Sequence, residues 1–341
     1  MSETPDRNLA LELVRVTEAA ALASARLVGR GDKIAADQAA VDAMRFMLNT
    51  IDMDGTVVIG EGEKDEAPML FNGESIGNGQ EPLVDIAVDP LEGTTLCARG
   101  MPNAIAVIAL SERGTMFDPG PCVYMEKLVT DNEAAAAVDI ERPLEDNIRA
   151  VAKAKGKDIG ETTVIMLDRP RHDDAVRSIR ELGARIRFIS DGDVSAAMSA
   201  ARMDSPIDLL YGIGGTPEGV LAAAAIRCLG GEIQGRLWCR DDAERQAAQD
   251  LGYDLSRVLK RADLVRGDDV FFAATGVTDG DMLQGVRYGR HGATTESLIM
   301  RSRSGTVRVV RSEHNRAKLR TYTGEKYFAD AAQEPLVPAH G

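Results

Sequence analysis

Two carboxylates lie three residues apart at the end of an apolar stretch, in the segment LVDIAVDPLEGTT (residues 83–95). The apolar run predicts a buried strand, and Asp89-Pro90 should end it because proline has no N–H to donate to a sheet. Asp89 and Glu92 would then face one point across a tight turn, and Gly93 lets backbone come close to that point. Two acids with no base beside them suggest a hard divalent cation, which prefers oxygen ligands.

Two hydroxyl groups follow this turn directly, at Thr94 and Thr95. A hydroxyl beside a bound cation can orient or deprotonate a water, and magnesium in proteins commonly binds carboxylates together with a substrate phosphate. This set of groups therefore suggests hydrolysis of a phosphate ester. The alternative interpretation is purely structural, in which Asp89-Pro90 ends a strand and Glu92 points into solvent.

Three further acids also have two interpretations. Glu61 lies between two glycines in GEGEKDE (60–66), where four acids fall within six positions and would repel one another unless a cation neutralised them. Asp37 is predicted in the first turns of a helix, and Glu218 starts another helix just after the glycine segment 212–215. A solvated loop explains Glu61 as well, and the helix dipole explains an acid at either helix start.

The motif VDPLEGTT (88–95) resembles the metal-binding signature of the lithium-sensitive, magnesium-dependent phosphatase superfamily. With six other motifs in a fixed order, the chain closely resembles the bacterial class II fructose-1,6-bisphosphatases over residues 9–314. These motifs are GRGDKIAADQAAVDAMR (29–45), VIGEGEKDEAPML (58–70), YMEKL (124–128), RPRHD (169–173), DGDVSAA (191–197) and YGIGGTPEGVLAAAAIR (211–227). Seven ordered motifs are far more specific than any one of them.

The resemblance implies a metal-dependent phosphatase that removes the 1-phosphate of fructose 1,6-bisphosphate by direct in-line attack of water. It implies two or three Mg²⁺ or Mn²⁺ ions held by Asp37, Glu61, Asp89, Glu92 and Glu218. Thr94 matches the family's catalytic threonine, and Glu61 and Asp65 would act on the attacking water. The implied substrate contacts are Glu92, Gly93, Thr94, Tyr124, Arg171, His172, Asp173, Asp191, Gly192, Asp193 and Gly215.

The predicted elements indicate how these residues are positioned. The first part of the chain mixes helices with strands, and from residue 162 strand and helix alternate, which is typical of a largely parallel βαβ layer. Ligands of such layers bind beyond the carboxyl ends of the strands. The segments that follow the predicted strands there are 171–173, 191–193 and 212–215.

The resemblance implies an α/β sugar-phosphatase fold whose layers alternate in the order α-β-α-β-α. We expect an N-terminal α+β part (residues 1–139) to carry most of the metal ligands. A C-terminal α/β part (140–314) would carry the loops that bind sugar and phosphate, together with Glu218. The remaining residues, 315–341, form a tail in which no motif is recognised.

Composition excludes several classes of protein. The chain has 54 Asp and Glu against 40 Lys and Arg, and this net charge of -14 argues against a nucleic-acid-binding protein. Bound cations would be needed to attract an anionic substrate to such a chain. The 4 cysteines form no CxxC pair, which indicates separate thiols in a reducing cytoplasm. Charges run through the apolar pattern of the first helix, so neither a signal peptide nor a membrane span is predicted there.

One rival motif, DMDGT (52–56), matches the nucleophile loop of the haloacid-dehalogenase phosphatases, in which Asp52 would be phosphorylated. That loop must follow a buried parallel strand, whereas residues 43–48 look like the end of a helix. The glycine segment 212–215 is a poor dinucleotide fingerprint, since Pro217 stands where the third glycine belongs.

Two alternatives for the function stay open. The resemblance also allows sedoheptulose 1,7-bisphosphate as a substrate, alone or beside the fructose ester. A protein of another class would bind a metal or a sugar phosphate without turnover, but the presence of every acid that the family's metal site requires argues against it. For the assembly, the resemblance implies a homodimer or homotetramer.

Overall fold

The computed structural model of the chain describes residues 8–62, 69–290, 292–315 and 318. Its α-helices are α1 Ala10–Ser24, α2 Lys33–Leu48, α3 Thr94–Arg99, α4 Leu144–Ala154, α5 Asp173–Leu182, α6 Asp193–Ala201, α7 Thr216–Leu229, α8 Asp242–Asp250 and α9 Arg261–Leu264. Short 3-10 helices occur at Ala25–Leu27, Ile159–Glu161 and Pro170–His172. Within these residues, no helix combines the length and the apolar character that a membrane crossing requires.

The strands form two sheets. They are β1 Asp54–Ile59, β2 Ser75–Gly77, β3 Leu83–Glu92, β4 Ile105–Glu112, β5 Tyr124–Thr130, β6 Thr163–Leu167, β7 Arg185–Ile189, β8 Leu209–Gly215, β9 Glu232–Trp238, β10 Leu259–Lys260, β11 Phe271–Gly276, β12 Arg287–Tyr288, β13 Gly292–Arg301 and β14 Thr306–Asn315.

The first sheet has eight strands in the order β12, β13, β11, β4, β3, β1, β2, and β14 pairs with β13. Its central strand β3 runs parallel to β1 and antiparallel to β4. Alternate residues of β3 enter different cores: Ile86 packs with Leu13 of α1 and Met44 of α2, whereas Ala87 joins the core on the opposite face. Strands covered on both faces are expected to be apolar throughout, as β3 is up to Val88 apart from Asp85.

The second sheet has six strands in the order β10, β9, β5, β8, β6, β7. β6 pairs in parallel with β7 and with β8, which confirms the predicted parallel layer for this half of the sheet. The other half is antiparallel, because β5 runs opposite to both β8 and β9. The sheet is therefore mixed rather than largely parallel.

Helices lie on both sides of each sheet and between the two. α6 and α7 fill the central layer, where Val194 and Val220 share a core with residues of both sheets. α4 and α5 cover the outer face of the second sheet through Ile148 and Ile179, and α1 and α2 cover the outer face of the first. The layers thus follow in the order α-β-α-β-α, as predicted.

The sheets do not follow the predicted division of the chain at residue 139. β5 lies before that position but pairs within the second sheet, and β11 to β14 return from the C-terminal part to the first sheet. The return is explained by β4, whose second edge is paired along its length by β11, a strand buried on both faces. The proposed boundaries of the domains themselves stay a prediction.

The central strand continues past the position where the sequence predicts its end. β3 extends to Glu92, with a shift of register between Asp89, opposite Val107, and Glu92, opposite Ile105. Its pairing with β1 already ends at Ala87, so Pro90 has only one neighbouring strand and lies in an irregular stretch where no N–H is required.

The glycine segment 212–215 is also part of a strand and not a loop. It forms the end of β8 and pairs with residues 124–127 of β5, with Gly215 opposite Tyr124. An antiparallel neighbour, which the alternation of strand and helix in the sequence does not reveal, extends the strand. α7 then begins directly at Thr216.

A buried cluster of charges lies at the end of the second sheet opposite to Tyr124 and Gly215. Lys155 Nζ is 2.8 Å from Asp131 Oδ2 and 2.7 Å from Asp208 Oδ1, and Lys157 Nζ is 2.6 Å from the same Asp208 oxygen. The Lys155 side chain is only 5% exposed and both aspartates are fully covered. The cluster therefore holds its charges by mutual pairing.

We expect Lys155→Met to lower the free energy of unfolding by about 3–5 kcal/mol, because it leaves two buried carboxylates without their shared cation. Urea denaturation measures this change. Lys153→Met, which alters an exposed lysine in the last turn of α4, two residues before Lys155, is the matched control and should stay within about 0.5 kcal/mol of the parent protein. Equal losses in the two variants would contradict a stabilising role for the cluster.

Candidate active site

Asp89 and Glu92 lie at the carboxyl end of β3, beside the first turn of α6. The Leu91 N–H donates to Asp89 Oδ1 at 3.1 Å, which fixes the turn around Pro90. Glu92 is only 3% exposed, and its Oε1 accepts a hydrogen bond of 3.0 Å from the N–H of Val194. Its other oxygen, Oε2, is buried and has no hydrogen-bond partner among the described residues. One carboxylate oxygen is thus available inside the protein.

Gly93 lets the chain turn sharply from β3 into α3. Its φ of 90° is a left-handed conformation, which glycine adopts without the strain that other residues would meet. Thr94 is the first residue of α3 and is partly exposed, so its hydroxyl lies next to the Asp89–Glu92 turn in the chain. Thr95 Oγ1 accepts a hydrogen bond of 2.8 Å from Lys33 Nζ, which joins α3 to the start of α2.

Glu61 and Asp37 come from neighbouring elements. Glu61 follows β1, and its N–H donates to Leu70 O at 2.9 Å, while Gly60 N–H donates to Asn72 Oδ1 at 3.0 Å. Burial raises the pKa of Glu61 to about 8, and the negative charge of Asp37 adds to this effect. Burial also raises the pKa of Asp37. The two carboxylates therefore repel each other in a partly water-free environment.

Glu218 comes from the central helix layer, in the first turn of α7. A Cβ placed on Gly215 would lie 1.8 Å from Glu218 Oε2, so only glycine allows this carboxylate to lie so close to the end of β8. Glu218 Oε2 is buried and, like Glu92 Oε2, has no hydrogen-bond partner in the described part of the chain. Burial raises the pKa of Glu218, and the positive charge of Lys127 opposes that shift.

The charges of the other four acids all act on Asp89, which indicates that the five carboxylates lie near one another. Burial raises the pKa of Asp89 well above its usual range, and four other carboxylates raise it further. We call the five residues together the acidic ring: Asp37, Glu61, Asp89, Glu92 and Glu218. In the described residues no three acidic, histidine or cysteine side chains already close around a single point, so the ring is not a finished metal cage. Its donor chemistry, all carboxylate with two buried unpartnered oxygens, fits a hard divalent cation.

A basic and aromatic group, which we call the Tyr124 patch, lies next to the acidic ring. The Tyr124 ring contacts the Trp238 ring edge to face at 6.1 Å. The guanidinium carbons of Arg171 and Arg240 lie 5.3 Å and 5.7 Å from the centre of the same ring. Tyr124 is opposite Gly215 in the sheet, which places the patch beside Glu218. An anionic group would therefore bind more favourably at the Tyr124 patch than at the five carboxylates of the acidic ring.

The sequence matches the family described as bacterial fructose-1,6-bisphosphatase, glpX-encoded, over residues 7–314. The chain belongs to this family. Fructose-1,6-bisphosphatase 1 class 2 of Escherichia coli strain K12 is 48% identical over 321 residues, covering 90% of this chain and 95% of that protein. Fructose-1,6-bisphosphatase class 2 from Escherichia coli O6:H1 and from Shigella flexneri gives the same identity and coverage.

In this fructose-1,6-bisphosphatase family member, the segment 191–193 connects β7 to α6. Asp191 Oδ1 accepts a hydrogen bond of 3.2 Å from the N–H of Gly192, whose φ of 97° again requires a left-handed conformation. Asp193 forms an ion pair with Lys127. The charges of Asp191 and Asp193 both raise the pKa of Glu92, so this segment reaches the acidic ring.

His172 is buried between two backbone segments. Its Nδ1 lies 2.8 Å from Leu167 O, and its Nε2 accepts a hydrogen bond of 2.8 Å from the N–H of Ile213. A Cβ on Gly212 would lie 3.0 Å from the imidazole ring. With both nitrogens occupied and 3% exposure, His172 holds the end of β8 in place. Its predicted contact with the substrate stays a prediction, and no ring nitrogen is left for it in this arrangement.

The other predicted residues are less constrained. Arg171 is exposed and donates to Ile213 O at 2.7 Å, and Asp173 is exposed at the start of α5. Asp65 lies outside the described residues, as do Glu63 and most of the tail from residue 316 onwards.

Three basic residues near the site have no role assigned to them from the sequence. Lys127 is buried against Asp193, Arg240 contacts the Tyr124 ring, and Arg169 donates to Ser190 O at 2.8 Å beside Arg171. Lys127 and Arg169 lie within the YMEKL and RPRHD motifs, where their type could have been noticed. Arg240 follows a strand that carries no motif, so the sequence contains no signal for it.

Asp52, the residue of the rival motif, lies away from these groups. It precedes β1 and accepts a hydrogen bond of 2.6 Å from Asn78 Nδ2, whereas Glu61 follows the same strand at its opposite end. The element before Asp52 is α2, which ends at Leu48, so no strand leads into the DMDGT segment. The structural context that a phosphorylated aspartate needs is therefore missing from this part of the chain.

The pKa of His172 predicts a pH-dependent stability. Burial lowers this pKa below its ordinary value of 6.5, and the charge of Arg171 lowers it further. At acidic pH the imidazole of His172 thus binds fewer protons in the folded protein than in the unfolded chain, and the stability that this residue contributes is lost as the pH falls through about 6.5 and below. We expect the free energy of unfolding to decrease less between pH 7.5 and pH 5.5 in His172→Gln than in the parent.

Urea denaturation at the two pH values measures both slopes. His314, whose pKa is also lowered by burial, is retained in both proteins and should leave a shared residual slope. An unchanged slope in His172→Gln would show that His172 is not held in its neutral form.

Proposed function

We propose that the chain is a metal-dependent fructose-1,6-bisphosphatase that converts fructose 1,6-bisphosphate into fructose 6-phosphate and phosphate with the groups of the acidic ring and the Tyr124 patch. The observation that carries the proposal is a pair of buried oxygens, on Glu92 and Glu218, that have no hydrogen-bond partner among the described residues and lie next to a patch with two guanidinium groups. Unpartnered buried carboxylates are costly unless a cation compensates them. A cation-binding centre beside an anion-binding patch suits a sugar bisphosphate.

The proposed metal ligands are Asp37, Glu61, Asp89, Glu92 and Glu218, for two or three Mg²⁺ or Mn²⁺ ions. When bound, such ions neutralise a phosphate and make a water more acidic. Each residue supplies carboxylate oxygens, and the hydrogen bond from Val194 holds one oxygen of Glu92 while the other, also buried, has no hydrogen-bond partner among the described residues. This arrangement keeps Glu92 in a single orientation.

Thr94 is the proposed residue that orients the attacking water. It starts α3 directly after Gly93, and α3 is connected to α2 through Lys33 and Thr95, which restricts its movement. Asp65 and Glu61 are proposed to accept the proton from that water. Direct attack by water needs no phosphorylated protein side chain, in keeping with the position of Asp52.

The rest of the substrate is proposed to bind across the Tyr124 patch and the segments 191–193 and 215. Arg171 would bind the distal phosphate, since a guanidinium group matches the geometry of phosphate oxygens. Asp191, Asp193 and Asp173 are proposed to accept hydrogen bonds from sugar hydroxyls. His172 would contribute by holding the neighbouring backbone. A homodimeric or homotetrameric assembly and a cytoplasmic location are proposed from the family resemblance alone.

We expect Glu92→Gln and Asp89→Asn each to reduce kcat/KM for fructose 1,6-bisphosphate by at least about a hundredfold, because each removes a negative charge from the acidic ring. Glu92→Gln keeps the oxygen that accepts from Val194, so the fold should survive. The measurement is phosphate release by chelator-treated protein with added Mg²⁺ or Mn²⁺, and circular dichroism verifies folding. Asp52→Asn is the control and should keep full activity. Near-parental rates in Glu92→Gln and Asp89→Asn would contradict the assignment of these residues as metal ligands.

Arg171→Ala should lower kcat/KM more for the bisphosphate than for a substrate that lacks the distal phosphate. Loss of a charge-assisted hydrogen bond of about 1.5–3 kcal/mol corresponds to roughly tenfold to a hundredfold in kcat/KM for fructose 1,6-bisphosphate. The same variant should change kcat/KM for fructose 1-phosphate far less. Equal losses for the two substrates would place the distal phosphate elsewhere. Sedoheptulose 1,7-bisphosphate, measured in the same series, gives the preference between the two sugars.

A further inference from the structure

Lys127 is a buried cation inside the proposed site. It lies on β5 with 2% exposure, although lysine is among the residues least often found fully buried. Its Nζ forms an ion pair with Asp193 and donates to Gly215 O at 3.0 Å. Neither the metal ligands nor the water-orienting groups proposed above include this residue.

Two glycines make room for this lysine. A Cβ on Gly214 would lie 2.1 Å from Asp193 Oδ2 and 2.9 Å from Lys127 Nζ. A Cβ on Gly219, in the first turns of α7, would lie 3.4 Å from Lys127 Cδ. The space around the ion pair is thus bounded by backbone, so the lysine has little freedom to move elsewhere.

The contacts of Lys127 connect two separate segments. Asp193 begins α6 after the turn that contains Asp191, and Gly215 ends β8 opposite Tyr124. Both segments are proposed to bind the sugar, and the single ammonium group contacts both. Nζ of Lys127 therefore links the two segments directly.

The positive charge of Lys127 also lies among several negatively charged side chains. Asp191, Asp193 and Glu218 all act on the Glu92 carboxylate, and the positive charge of Lys127 acts on Glu218. Without Lys127, the negative charge of Asp193 would repel an anionic ligand, and this repulsion would be strong because little water separates charges inside the protein. Lys127 cancels that charge from within the protein.

We propose that Lys127 is a positioning residue for the sugar bisphosphate: it sets the distance between the segments 191–193 and 215 and neutralises Asp193. This inference rests on the proposed role of those two segments in binding the substrate. It assigns Lys127 to substrate binding rather than to the proton transfers of hydrolysis.

The test compares Lys127→Met with the parent protein in excess Mg²⁺. We expect KM for fructose 1,6-bisphosphate to rise about tenfold or more while kcat changes less, which corresponds to a loss of binding shared by ground state and transition state. Lys127→Arg keeps the charge and should recover part of the loss. Lys155→Met is the matched control, because it removes another buried lysine that lies close to two aspartates, at the opposite end of the same sheet, but should leave KM unchanged.

Direct binding gives a second readout that does not depend on turnover. Trp238 is the only tryptophan of the chain, and its ring touches that of Tyr124 in the patch. Titration of its fluorescence with fructose 6-phosphate, with and without Mg²⁺, should give a Kd raised by the same factor as KM in Lys127→Met. A merely structural lysine would lower the melting temperature, as is expected of Lys155→Met, without changing Kd.

Parental KM and Kd in folded Lys127→Met would overturn the proposal. If that variant does not fold, Gly214→Ala decides the question, since its methyl group displaces the ion pair while the lysine is retained. It should raise KM and Kd in the same direction, and unchanged values would again overturn the proposal. Asp191→Asn separates the two inferences. If it raises KM while the lysine variants do not, only the role of Lys127 fails, and if all leave KM unchanged, the assignment of the sugar-binding segments fails.

Discussion

Repulsion among buried carboxylates is the constraint on which the rest of the structure depends. Burial and neighbouring acids raise the pKa of Asp89, Glu92 and Glu61, so each of these groups is held where its charge is unfavourable. Such an arrangement persists only if the surrounding structure fixes it firmly. The fold does this with four separate elements, since the ring residues come from α2, from the ends of β1 and β3, and from α7.

The layered architecture explains how acids so far apart in sequence meet. β1 and β3 are parallel, so Glu61, which follows β1, and Asp89, which lies near the end of β3, are at the same edge of the first sheet. α7 lies between the sheets, and its N-terminal turn brings Glu218 to that edge, next to the end of β8 in the second sheet. The acidic ring is therefore built at the junction of the two sheets, and the Tyr124 patch of the second sheet borders it.

The sequence predicts much of this arrangement, but it misses features that depend on distant pairing. The helix that carries Asp37 and the alternation of strand and helix after residue 162 follow from local pattern, and the structure confirms both as elements. The extension of β3 beyond Pro90 depends on which neighbours the strand has at that point, and the strand character of segment 212–215 depends on β5. Local pattern contains neither fact. The assignment of each site residue to its role still depends on the family resemblance and remains to be tested.

Buried acids differ in how the protein completes their hydrogen bonding, and this difference separates structural acids from candidate ligands. Asp85 is 2% exposed, and its Oδ2 accepts from Thr115 N at 2.8 Å and from Met116 N at 3.0 Å. Asp208 is likewise paired, with two lysines and the N–H of Thr163.

The Oε2 atoms of Glu92 and Glu218 are also buried, yet no described group of the protein donates a hydrogen bond to either atom. A buried oxygen without a hydrogen bond destabilises the fold, and a nearby donor would remove this cost. Stability alone therefore does not explain why these two atoms lack a donor. The same reasoning distinguishes Asp193 from its neighbours, since Lys127 neutralises it from inside the chain. The protein thus supplies its own cation where the sugar is proposed to bind and leaves carboxylate oxygens open where a metal is proposed, a distinction that residue types in a sequence do not reveal.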